Sequence, residues 1–154
     1  MKQKNDSSLI ISILIPIAVG MLSAFFSGNM AEYSTLNKPA FSPPGIIFPI
    51  VWLILYTLMG ISSYIIFECG KPDTRKALQV YALQLLFNFF WGIIFFRLDF
   101  YFIAFLWVLA LIALVALMIY LFYRINPSAA YLQIPYLIWC LFSAYLNFMF
   151  AWLN

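Results

Sequence analysis

The 154-residue sequence contains no histidine, which removes the imidazole base, the commonest metal ligand and the usual axial ligand of haem iron. Charge is scarce too: eight Lys or Arg and five Asp or Glu make up 8% of the chain, too few to coat a globule in water. The two cysteines, Cys69 and Cys140, lie in different apolar segments without the paired spacing of a zinc site or a redox dithiol, and read as small packing residues. A separate soluble catalytic domain is therefore excluded, and neither a metal site nor a nucleic-acid partner is expected.

What the chain has in place of charge is apolar and aromatic surface, 66% and 21% of its residues. A helix needs roughly 20 apolar residues to cross a bilayer core, so this composition accommodates about five crossings. Five stretches of that kind occur, at Leu9–Phe26, Ile46–Phe67, Ala77–Phe96, Phe100–Tyr123 and Ala129–Leu153. The expected fold class is an all-α integral membrane protein, a bundle of five transmembrane helices forming one domain over residues 1–154. The first stretch follows Lys2 and Lys4 like a signal peptide, but no small-x-small cleavage site comes after it, so it is expected to be retained.

Most connections are short. The exception is the segment 28–45, long for a bundle loop and rich in proline and aromatic residues, which suits an ordered lid over a binding site. Lys2, Lys4, Lys71, Arg75, Lys76 and Arg124 fall on one side of the bundle, Lys38 and Arg97 on the other. The positive-inside rule then puts the N-terminus in the cytoplasm and the long loop outside.

The few polar residues inside the spans mark faces that avoid lipid, because an unpaired amide in hydrocarbon is costly. Gln84, Asn88 and Trp91 form one helical stripe, Trp139, Ser143 and Asn147 another, and Pro49, Trp52, Tyr56, Met59 and Ser63 a third. In the first helix, Gly20, Ala24 and Gly28 form a small-xxx-small row suited to close packing. The fourth helix, polar only at Trp107, is expected to face lipid or a second copy of the protein through Ala104, Ala110 and Ala113. Trp107 and Trp152 suit the membrane interface. Trp52, Trp91 and Trp139 lie too deep for an interfacial belt, and pattern alone leaves them as packing residues or as the wall of a cavity beneath a lid running from Tyr33 to Pro44. Asn88 and Asn147 are equally open between ligand contact and interhelical bonding.

Three ordered motifs now carry a resemblance over essentially the whole chain. They are Tyr33-Ser-Thr-Leu-Asn-Lys38-Pro39-Ala-Phe-Ser-Pro43-Pro44 with Phe48-Pro49 and Trp52-Leu-Ile-Leu-Tyr56; Gln84-Leu-Leu-Phe-Asn88-Phe-Phe-Trp91; and Pro135-Tyr136-Leu137-Ile-Trp139 continuing to Ser143, Leu146 and Asn147. They resemble the lid, third helix and fifth helix of the TspO/translocator protein family, the tryptophan-rich sensory proteins, in its bacterial branch. The resemblance implies a homodimer in the bacterial cell membrane with a pocket that binds protoporphyrin IX, haem, and isoquinoline-carboxamide or benzodiazepine drugs. It assigns to the pocket Tyr33, Pro43, Pro44, Phe48, Trp52, Asn88, Trp91, Trp139, Ser143, Leu146 and Asn147. It also implies light- and oxygen-dependent porphyrin breakdown at Trp52 and Trp139, with no resident cofactor required. The animal members' sterol motif is absent from Leu146–Asn154, so sterol binding is not expected.

Physical chemistry supports a flat ligand: a porphyrin face stacks on indole and phenol rings, and its propionates could meet Lys38 at the mouth. Haem, with no histidine to hold it, would need another iron ligand or none. The competing readings are a transporter of amphiphiles and a ligand-responsive scaffold. The first has no deep Asp, Glu, Lys or Arg to couple an ion gradient.

Overall fold

The computed structural model describes residues 6–28 and 33–154. Lys2 and Lys4, on which the orientation argument partly rests, and residues 29–32 of the expected lid lie outside them. The chain runs through α1 (Asp6–Ser27), α2 (Ile47–Cys69), α3 (Thr74–Gly92), α4 (Tyr101–Ile125), α5 (Pro127–Tyr131) and α6 (Ile134–Leu153), with no strand among the described residues. Counting α5 with α6, five spans are long and apolar enough to cross a membrane. The protein is a multi-pass, all-α membrane protein.

Local chemistry sets the helix ends. Gly70 stops α2 in the left-handed conformation, at φ 58°. Asn126 caps α5, its side chain accepting the Ser128 N–H at 3.0 Å, with Pro127 in the first turn. Two cations cover exposed carbonyls at helix ends: Lys71 Nζ donates to Ile125 O at 2.6 Å and Arg97 Nη1 to Phe26 O at 3.2 Å.

The fifth span is not one continuous helix. Pro135 has no N–H to offer Tyr131, and the chain breaks at Leu132 and Gln133 before α6 begins. The end of the third span also departs from a plain helix. Ile93–Arg97 widens into π-helical turns that present both Phe95 and Phe96 toward the loop end of the bundle.

The expectation that the fourth helix faces outward is met on one side only, where Phe102, Ile103, Leu106, Leu109 and Leu117 are exposed. Ala104, Val108, Leu111, Val115, Met118 and Phe122 form a fully buried stripe on α4, which packs against α3 on one side and α6 on the other. Polarity could not reveal this, because a packed apolar face and a lipid-facing one share a composition. Ala104 is consequently occupied within the chain, whereas Ala110 and Ala113 are exposed. The Trp107 indole packs within the chain, donating to Phe87 O at 2.8 Å and stacking on the Phe87 ring.

Small residues decide how closely α1 approaches its neighbours. Pro16 cannot bond the Ser12 carbonyl, and α2 crosses at that point through Gly60, where a Cβ would lie 2.6 Å from Ser12 O. Gly20 lies against the Tyr56 ring, and Gly92 of α3 against Ser23 and Ser27. The small-residue row on α1 thus works at Gly20. Ala24 instead borders a void, and Gly28, at φ 83°, lies beyond the helix end. Gly60→Val forces backbone atoms apart and should lower stability by about 1–3 kcal/mol. Gly45→Ala, with no neighbour within 4 Å, should change it by less than about 0.5 kcal/mol. Thermal unfolding of the two variants in detergent checks the pair.

Candidate functional site

At the loop end of the bundle a cavity of about 550 Å³ opens between α1 and α2. Trp52, Tyr56, Phe48 and Phe96 supply aromatic walls, while Gly20, Ser23, Ala24, Ser27 and Gly92 leave the room by their small size. The Ser23 hydroxyl donates to Phe89 O at 2.7 Å and the Ser27 hydroxyl to Ser23 O at 2.6 Å. The cavity wall is therefore nearly free of polar groups available to a ligand.

The opening faces the membrane. Met21 and Leu53 line the cavity yet are 69% and 55% exposed. Each lies six residues from the loop end of its helix, about 9 Å down at 1.5 Å per residue, a depth occupied by hydrocarbon.

A second space of only about 20 Å³ lies between α3 and α6, lined by Trp91, Phe95, Ser143, Leu146, Asn147 and Phe150. Tyr33, Phe48 and Phe96 border both spaces and form the partition between them. The Tyr33 and Phe48 rings meet edge to face at 5.4 Å, and Tyr33 also packs on Phe150 at 5.7 Å. Tyr33 is a loop residue, yet it is buried. Its hydroxyl donates to Pro43 O at 3.4 Å, and the Lys38 ammonium lies 4.9 Å above its ring. Burial raises the phenol's pKa above its ordinary value, so Tyr33 docks as a neutral group.

The loop is tied down from the far end of α6. Asn37 N–H donates to Asn154 Oδ1 at 3.1 Å, Asn154 Nδ2 returns a bond to Asn37 O at 3.2 Å, and Tyr145 donates to Ala40 O at 2.9 Å. None of Asn37, Tyr145 and Asn154 was singled out by sequence, because each is an ordinary polar residue until the loop folds back onto α6.

Of the residues expected at the site, Tyr33, Phe48 and Trp52 line the main cavity, while Trp91, Ser143, Leu146 and Asn147 line the small space. Trp91 donates its indole N–H to Asn147 Oδ1 at 3.1 Å, and Asn147 Nδ2 donates to Ser143 O at 2.7 Å. Pro43, Pro44 and Lys38 belong to the loop and line neither space; Pro44 O instead accepts Ile47 N–H at 3.0 Å at the start of α2. Trp139 stands behind the partition, its ring 5.8 Å from Phe48 and 6.4 Å from Trp52, and its buried indole nitrogen finds no acceptor among the described residues.

Asn88 lies apart from both spaces, in a buried polar chain. Tyr56 donates to Asn88 Oδ1 at 2.8 Å, Asn88 Nδ2 donates to Tyr136 Oη at 3.0 Å, and Tyr136 donates to Gln84 Oε1 at 2.8 Å. The chain joins α2, α3 and α6 and touches the cavity only through the Tyr56 ring, which stacks on Trp52 at 5.3 Å. The wall contributed by α1 (Ile17, Gly20, Met21, Ser23, Ala24, Ser27) was missed by polarity. Its one legible signal was the run of small residues, which marks missing volume as readily as close packing.

Fold and site together define a multi-pass membrane protein of the receptor or binding type, with an apolar aromatic cavity opening within the bilayer. The model of the TspO/MBR family matches residues 12–153, and the chain belongs to that family. It is 35% identical to the Tryptophan-rich protein TspO of Archaeoglobus fulgidus, over 97% of this chain and 99% of that one. Identity is 34% to the Tryptophan-rich sensory protein of Cereibacter sphaeroides, over 79% and 76% of the two chains, and 34% to the Translocator protein of Homo sapiens, over 82% and 77%.

Asn88→Ala removes the acceptor for Tyr56 and should cost about 1–2 kcal/mol, while leaving the affinity of any cavity ligand within about twofold. Thermal unfolding and a ligand titration on the same variant separate this from a direct contact, which would lower affinity more than stability.

Proposed function

We infer that the protein is a membrane receptor for porphyrins, protoporphyrin IX before haem, and for drug-like aromatic amphiphiles of the isoquinoline-carboxamide or benzodiazepine type. The observation that carries this reading is the cavity of about 550 Å³ walled by Trp52, Tyr56, Phe48 and Phe96 and open at hydrocarbon depth. A porphyrin partitions into lipid, presents two large π-faces, and gains about 0.5–1.5 kcal/mol per ring pair beyond the area it buries. Metal-free protoporphyrin asks for no axial ligand, which suits a chain without histidine. The unpartnered Trp139 indole N–H would serve a ligand acceptor once Phe48 and Tyr33 swing aside and join the two spaces.

Trp52 would then be the electron donor nearest a bound porphyrin, with Trp139 behind it. Light-excited porphyrin takes one electron from the indole. Dioxygen removes it from the porphyrin radical anion as superoxide, leaving oxidised tryptophan and reactive oxygen beside the macrocycle. The same reading includes a homodimer in the cell membrane with the loop on the outer side.

Titrating protoporphyrin IX into the purified protein should quench tryptophan fluorescence saturably, and Trp52→Ala should weaken binding by about tenfold, the loss of one well-formed aromatic contact with its buried area. Quenching that persists unchanged in Trp52→Ala would remove the assigned site. Illumination with oxygen should bleach the bound porphyrin faster in wild type than in Trp52→Phe. Equal rates, matching free porphyrin in detergent, would remove the photochemical step. Because the mouth lies between Met21 and Leu53, Met21→Trp should slow association and dissociation together and leave the equilibrium constant nearly unchanged, as stopped-flow mixing with porphyrin-loaded nanodiscs can show.

A further inference from the structure

At the end of the bundle away from the loop, two hollows not used above run into one another. A bowl of about 560 Å³ at the α2–α3 turn is lined by Lys71 and Arg75 together with Gly70, Pro72 and Thr74. Below it, a groove of about 400 Å³ descends between α1 and α3, walled by Ile11, Ile15 and Leu85. Phe67, Leu78 and Ala82 border both, so the two adjoin, and their outward exposure (58% for Phe67) lets one occupant lie across them as a channel with a cationic top and a mainly apolar stem. From this we propose a binding site for one anionic glycerophospholipid, its phosphate in the bowl and one acyl chain in the groove.

Charge and depth both select that occupant. Among the described residues, Lys71 and Arg75 are the charged residues lining the channel and no carboxylate lines it; Glu68 and Asp73 flank the turn without entering the wall. A zwitterionic headgroup would find no anion in the wall to receive its ammonium. Lys71 donates one of its three protons to Ile125 O at 2.6 Å at the end of α4, which leaves two donors for a phosphate oxygen beside Arg75. From Arg75 to Leu85 the wall descends ten residues, about 15 Å, which is half the roughly 30 Å hydrocarbon thickness and the depth of one leaflet. Ile11, Ile15 and Phe67 are more than half exposed or at that limit, at 57%, 50% and 58%, so no described residue covers the groove.

The site shares no residue with the aromatic cavity and stands whether or not porphyrin binds there. The test uses the full chain in detergent, followed by native mass spectrometry and thermal unfolding, with dioleoyl phosphatidylglycerol, dioleoyl phosphatidylcholine or inorganic phosphate added. The phosphatidylglycerol adduct should survive and raise the melting temperature more than phosphatidylcholine, with little effect of phosphate alone. Arg75→Gln should reduce phosphatidylglycerol retention by about tenfold, the loss of one charge-assisted contact, and Ala82→Trp should do so by filling the shared wall. Arg97→Gln, at the opposite end, should not. Equal retention of the two lipids by the wild type, a preference unchanged in both Arg75→Gln and Ala82→Trp, or phosphate alone reproducing the stabilisation would each overturn the proposal.

Discussion

The bundle depends on one buried chain of hydrogen bonds, Tyr56 to Asn88 to Tyr136 to Gln84. Lipid supplies no hydrogen bonds, so amides and phenols within a span must find one another or raise the cost of insertion. Here α3 contributes both amides, α2 and α6 one phenol each, and their pairing sets the rotation of three helices at once. With those rotations set, Trp52 lies against Tyr56 on one side of the chain and Trp139 beyond it. The aromatic wall is thus oriented by groups that do not themselves face the cavity.

The cavity exists because α1 is joined to the bundle differently. It carries no amide into the network, and it packs through backbone-level contacts at Gly60 and Gly20. Towards the loop its facing residues are Ser23, Ala24 and Ser27, with Gly92 opposite, and side chains that small cannot fill the gap left by the diverging helices. The void therefore lies between α1 and α2 and opens sideways into the membrane. Tyr33 and the Asn37–Asn154 pair close it from the loop side instead.

Much of this was legible in the sequence. The five spans follow from composition and run length, with bounds that differ from the structure by a few residues. The stripes Gln84–Asn88 and Trp52–Tyr56 were correctly read as faces turned inward. Other features could not be read. The buried stripe of α4 has the composition of a lipid-facing one. The latch between Asn37 and Asn154 joins positions 117 residues apart, whereas the break before Ile134 was legible at Pro135, four residues after Tyr131, and reading the fifth span as one helix passes over it.

What the sequence determined by itself is the solvent and the element: with so little charge and no histidine, the chain has to be helical in lipid, and its chemistry has to be that of rings and amides. Which amides hold helices and which rings face a ligand was decided only by the tertiary structure. Asn88 and Asn147 carry the same group at comparable depth, but Asn88 meets two phenols whereas Asn147 meets an indole beside an open crevice. Helical periodicity states which residues share a face; what that face meets depends on the rotation and separation of neighbouring helices, and those are set by the packing of residues far apart in the chain.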